Sequence, residues 1–145
     1  MRVVFHHLPL SMHPWARVAA ETAGCAQLQS NEAFWSFHDL IFHNQKTITA
    51  DNAREKLSEL AKAARGIDAA AFQKCIDNGM SVGLVLKDMN LAENSHVSGT
   101  PTLFINGHRL QSVESAEKLR ELIAEARKEA RTPSSVSAVM RPAGP

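Results

Sequence analysis

Val97-Ser98-Gly99-Thr100-Pro101-Thr102-Leu103-Phe104-Ile105-Asn106-Gly107-His108-Arg109-Leu110 is the stretch on which the reading of the whole chain turns. Gly99 offers a backbone angle that other residues resist, while Pro101 fixes its own φ and pushes Thr100 towards an extended conformation. The β-branched and aromatic character of residues 102–105 suits a short strand. Asn106-Gly107 accepts positive φ at both central positions of a two-residue hairpin. The stretch predicts a turn, a strand, a tight turn and a second strand. On these residues alone, Pro101 reads as a trans proline opening an edge strand as readily as the rarer cis form.

Upstream, residues 2–8 read Arg-Val-Val-Phe-His-His-Leu, a β-rich run ended by Pro9. Pro14 suits the first position of a helix that carries Trp15, Val18, Ala19, Thr22 and Ala26 on one face. Gly24 weakens that helix without ending it. Ser30 or Asn31 can cap a second helix with Phe34, Trp35, Phe37, Leu40, Ile41 and Phe42, whose aromatics predict burial on two sides. Thr49 or Asp51 can cap a third, with Leu57, Leu60, Ala61 and Ala64 in register and Gly66 closing it. Asp68 caps a short helix with Phe72, Cys75 and Ile76 inward, closed by Asn78-Gly79. Ser81 caps the next, with Val82, Val85, Leu86, Met89 and Ala92 at helical spacing. After the hairpin, Ser115 starts a last helix with Leu119, Leu122, Ile123 and Ala126 inward. Residues 131–145, rich in Pro, Ser and Ala without periodicity, predict a disordered tail. Few strands and many helices exclude a β-sandwich and indicate an α/β chain, a small sheet packed by helices.

The 145 residues make one domain with room for a core. A net charge of +1 leaves no footprint for nucleic acid or an anionic membrane. No apolar run reaches the length of a membrane span, and residues 1–10 lack the pattern of a secretory signal. Cys25 and Cys75 are too far apart for a Cys-x-x-Cys redox pair and make a poor zinc site. His6 and His7 would face opposite sides of a strand, His38 and His43 miss the i, i+4 spacing, and His13 and His96 stand alone. Surface or partly buried histidines are expected, with no metal and no cofactor.

Several of these runs together resemble DsbA-like proteins of the thioredoxin fold. Val3-Val4-Phe5-His6-His7-Leu8-Pro9-Leu10 followed by His13-Pro14-Trp15-Ala16 is similar to their second strand and following helix. Phe34-Trp35 with His38-Asp39-Leu40-Ile41-Phe42, and then Phe72-Gln73-Lys74-Cys75-Ile76-Asp77-Asn78-Gly79, resemble the two ends of their helical insertion. The Gly-Thr-Pro-Thr entry to the hairpin resembles their cis-proline loop. The resemblance implies a thioredoxin-like domain over residues 1–130, a small mixed sheet packed by about six helices, an insertion at about residues 31–96 and the tail at 131–145.

The family's chemistry is thiol–disulfide exchange, through a strand and a Cys-x-x-Cys helix that precede the run seen here at residues 2–8. The chain lacks both, so no catalytic residue carries over to it, and neither Cys25 nor Cys75 matches the nucleophile. By the resemblance, the missing strand lies between residues 2–8 and 102–105. Direct pairing of the flanking strands, a strand-sharing homodimer, or a chain that is a fragment would each resolve the gap; the fragment is the simplest and is the expectation. The resemblance further implies that Gly99, Thr100 and Pro101 hold an extended stretch of an unfolded or cysteine-containing protein substrate by strand addition. Cys25 and Cys75 are two buried thiols or, by similarity to a second, non-catalytic bridge in some DsbA-like proteins, a structural disulfide.

The expected function is that of a disulfide oxidoreductase family member inactive by itself. The alternative is a non-catalytic, chaperone-like peptide-binding module. Kappa-class transferases and chromene-carboxylate isomerases share the fold, but the compact insertion, Phe34-Trp35 and the Cys75 run favour the DsbA-like branch. Most of that branch is extracytoplasmic, and the sequence itself assigns no location.

Overall fold

Residues 1–111 and 115–130 are described by the computed structural model, which divides into two compact units, Met1–Thr100 and Pro101–Pro145. The first holds α1 (Ala16–Gln27), α2 (Asn31–Asn44), a 3-10 turn at Gln45–Thr47, α3 (Ala53–Ala63), α4 (Ala69–Asp77) and α5 (Val82–Asn94). The second holds β1 (Phe104–Ile105), β2 (His108–Arg109) and α6 (Ala116–Glu129).

Helix α1 is the hub of the first unit, touching α2, α3, α4 and α5. Its inward residues are small: Ala19, Ala20, Thr22, Ala23, Gly24, Cys25 and Ala26 are all buried. Small side chains let four neighbours approach one axis. At Gly24 the approach is closest, since a Cβ there would stand 2.8 Å from Ser81 Cβ. That contact explains a glycine in mid-helix, where it costs about 1 kcal/mol relative to alanine. Around α1 the core is filled by Phe34, Phe37 and Ile41 of α2, Ile48 just after the 3-10 turn, Leu57 and Leu60 of α3, and Phe72 of α4. The Phe37 and Phe72 rings meet edge to face at 5.5 Å, a favoured arrangement of aromatic quadrupoles.

Three helix starts follow the sequence directly. The Ser30, Asp68 and Ser115 side chains accept from the amides of Ala33, Ala71 and Lys118 at 3.0, 2.7 and 3.1 Å, satisfying donors a helix leaves open.

Other expectations are corrected. Ser81 precedes α5 but makes no cap; its hydroxyl donates to the Glu21 carbonyl at 2.6 Å, tying the α5 start to α1. Neither Thr49 nor Asp51 caps α3, which begins after Asn52; Asn52 Oδ1 instead accepts from the Thr49 amide in a local loop. Pro14 lies ahead of α1, whose N-cap is Trp15. Phe42 is half exposed, because α2 turns its last aromatic beyond the core stripe. Residues 2–8 form no strand among the described residues, and the only sheet there is the two-stranded antiparallel β1–β2, so the mixed sheet expected from sequence is not seen. A β-rich composition marks a chain able to form a strand, but a ladder also needs a neighbour for its backbone groups.

In the second unit Phe104 pairs with Arg109 and Ile105 with His108. Asn106 and Gly107 take φ of 49° and 84°, the double positive φ of a type I′ turn. Leu119, Leu122, Ile123 and Ala126 of α6 are half-buried. The disordered tail expected at residues 131–145 lies outside the described residues.

Candidate functional site

Cys25 of α1 and Cys75 of α4 face each other across the α1–α4 contact and are joined as a disulfide, with Cα atoms 5.8 Å apart and 50 residues between them in sequence. Both are sealed, at 1% and 4% exposure, and Ser81 Oγ lies 3.5 Å from the Cys25 sulfur. Thiol–disulfide exchange needs an accessible thiolate or an accessible disulfide sulfur. This pair offers neither.

The loop singled out from sequence leaves α5 through a Schellman turn. His96 takes φ 52°, its amide donates to the Glu93 carbonyl at 2.9 Å, and the Val97 amide donates to Ala92 at 2.8 Å. The chain then passes through half-buried Gly99 and exposed Thr100, which end the first unit, and exposed Pro101, which opens the second. Gly99 does not occupy the left-handed region, and a Cβ there would meet nothing within 4 Å. The special backbone angle expected at Gly99 is instead taken by His96, three residues earlier.

The structure brings together a third group that the sequence reading did not single out. Asp88, facing inward from α5, uses both carboxylate oxygens on the N-terminal segment. Oδ2 accepts from the His7 amide at 2.8 Å, and Oδ1 accepts from His6 Nδ1 at 2.7 Å, which fixes the proton of His6 on Nδ1. His7 as a residue is only 4% exposed, so the expectation of surface or partly buried histidines fails here. It meets Phe5 and Phe34 edge-on at 5.2 and 6.0 Å, and its Nε2 lies 3.3 Å from Gln27 Oε1. Burial in these apolar surroundings holds the His7 imidazole below the usual histidine value. A signal for Asp88 was available: it stands three residues after Val85 and four before Ala92, on the stripe of α5 that carries apolar residues. An acid at such a position must find a partner when it is buried. Beside Asp88 an open trough runs along α5, lined by His6, Leu84, Leu86, Lys87 and Leu91 among others. Among the described residues no three His, Cys, Asp or Glu side chains gather into a metal-holding group.

Helices α2 to α5 pack on the small-residue α1, a sealed disulfide ties α1 to α4, and a Gly-Thr-Pro loop and a hairpin follow in sequence. The family profile described as Thioredoxin matches residues 1–125, and the chain belongs to that family. Among its relatives, it is 36% identical over 130 residues to the Na(+)/H(+) antiporter NhaA 3 of Salinispora tropica, covering 87% of this chain and 18% of the antiporter. It is 23% identical over 109 residues to disulfide bond formation protein D of Bacillus subtilis, covering 74% of this chain and 49% of that protein. The probable disulfide bond formation protein D of Bacillus cereus is 30% identical over 82 residues, 55% of this chain and 38% of the relative. The chain thus spans less than a fifth of the antiporter and half or less of the disulfide bond formation proteins. No solved structure matches. Among the described residues no helix is long and apolar enough to cross a membrane.

Proposed function

We propose that these 145 residues form the substrate-holding frame of a DsbA-like thiol–disulfide oxidoreductase, and that the attacking thiolate belongs to cysteines other than Cys25 and Cys75. The observation that carries this reading is the sealed bridge: the chain has two cysteines, and each is consumed by the other. The relatives named for disulfide bond formation support the reaction class. In that reaction a thiolate attacks one sulfur of a disulfide, a mixed disulfide forms, and the other sulfur leaves as thiolate. In this reading Gly99, Thr100 and Pro101 act as the cis-proline loop, pairing by backbone with an extended, cysteine-containing protein segment. The domain covers residues 1–130 with its helical insertion at about 31–96, and a strand lying beside residues 2–8 completes the sheet. That strand comes from another part of the polypeptide or from a second copy in a strand-sharing homodimer; a monomeric mass at all concentrations in sedimentation would remove the second source. The antiporter relatives match over too small a share of their length to bring ion transport with them.

The purified chain is expected to oxidise a dithiol peptide no faster than background, and to bind extended peptides saturably, with binding weakened by Thr100→Pro. Turnover retained in a Cys25→Ser/Cys75→Ser double variant would overturn the assignment of the thiolate, and absence of peptide binding would overturn the frame. The exposed Leu86 and Leu91 of α5 favour one other reading, a chaperone-like peptide-binding module without redox chemistry. The intact mass of the polypeptide from its native source, with its cysteine content, separates the two: a Cys-x-x-Cys in that polypeptide selects the oxidoreductase.

A further inference from the structure

We propose that Asp88, His6 and His7 form a proton-sensitive clasp that seats the N-terminal segment on the helical unit and releases it on acidification. The geometry is specific. A carboxylate on the inner side of α5 spends both oxygens on two successive residues of one segment, gripping a backbone amide and a ring nitrogen together. Among the described residues, no other hydrogen bond from residues 2–8 to a helix is seen except that from His7 Nε2 to Gln27. The segment's remaining attachment is aromatic, with Phe5 against Phe34, Trp35 and His38. Seating therefore depends on the clasp and on the burial of two rings, Phe5 and His7.

Only one of those rings can take a proton. Burial is the main reason the seated His7 resists protonation; His38 of α2 and His6 of its own segment add to the resistance, while Gln27 of α1 and Asp88 of α5 oppose it. His38 lies beside Asp39, whose Oδ1 is 3.0 Å from its Nδ1. When the segment lifts off, His7 returns to water and to its ordinary value of 6.5. The released state thus binds the proton more tightly than the seated one. The contribution of neutral His7 to seating is fully present above that ordinary value and is lost as pH falls below it, by up to about tenfold per pH unit until the lowered value is reached. The His6 side chain, which holds Asp88 Oδ1 at 2.7 Å, is half exposed.

The test uses the full chain and amide hydrogen exchange at His7, corrected for intrinsic rates, between pH 8 and pH 5. Protection is expected to be steady near pH 8 and to fall below pH 6.5, with helical circular dichroism unchanged. His7→Phe, which keeps an aromatic ring against Phe5 and Phe34, is expected to flatten the profile. His6→Gln should leave it in place, and Asp88→Asn should leave the amide poorly protected at every pH. Unchanged protection from pH 8 to pH 5, or a His7→Phe profile that still falls, would overturn the clasp. Should His7→Phe fail to fold, nitrogen-15 shifts of the His7 ring in the unaltered chain decide: a ring still neutral at pH 6 while the amide is protected supports the proposal. A ring charged at pH 6 under a protected amide refutes it.

Discussion

The two units of this chain solve the problem of stability in different ways. Met1–Thr100 buries a continuous apolar core around α1 and locks it with a disulfide, whereas Pro101–Glu129 contains no buried residue among those described. The second unit draws its order from local devices: an Asn-Gly turn, a short ladder and a serine cap. The contrast suits the proposed division of labour. A frame must be rigid, while the hairpin that follows the proposed substrate loop can keep its shape by local rather than core-bound order.

Substitutions can break or sharpen that contrast. In the first unit, Phe37→Ala removes a fully buried ring that meets Phe72. It should cost up to about 5 kcal/mol in urea unfolding followed by Trp15 and Trp35. Removing the bridge with Cys25→Ser/Cys75→Ser reopens a loop of 50 residues, with an expected loss of about 4 kcal/mol on the chain-entropy model. In the second unit the effects should be smaller and local. Gly107→Ala forces an alanine to φ 84° in open space and should cost about 1–2 kcal/mol, read as faster exchange of the Leu110 amide bonded to Leu103. Ser115→Ala removes the α6 cap, an expected loss of about 1 kcal/mol of local helix stability, read by exchange in its first turn. Effects in the second unit as large as those in the first would erase the contrast.

The sequence made some of this visible and hid the rest for identifiable reasons. Local chemistry was legible: Ser30, Asp68 and Ser115 as caps and Asn106-Gly107 as the turn each need only a few neighbouring residues. Ser81 misled because its hydroxyl found the Glu21 carbonyl on another helix, a partner 60 residues away. Residues 2–8 carry a strand's composition, but composition does not supply a partner, and no ladder forms there among the described residues. Gly24 looked like a flaw in α1 and is the point where Ser81 packs against it. At the candidate site, the loop and the two cysteines could be singled out by motif. The role of Asp88 could not, because it rests on two residues more than 80 positions earlier.

The claim on which the account rests is that neither cysteine of this chain is a working thiol. Intact mass after alkylation tests it most directly, on protein held native and on protein denatured without reductant. Both samples are expected to gain no alkyl group, and two should appear only after reduction. A single alkyl group gained before reduction, on either cysteine, would show a free thiol within the frame and contradict the account.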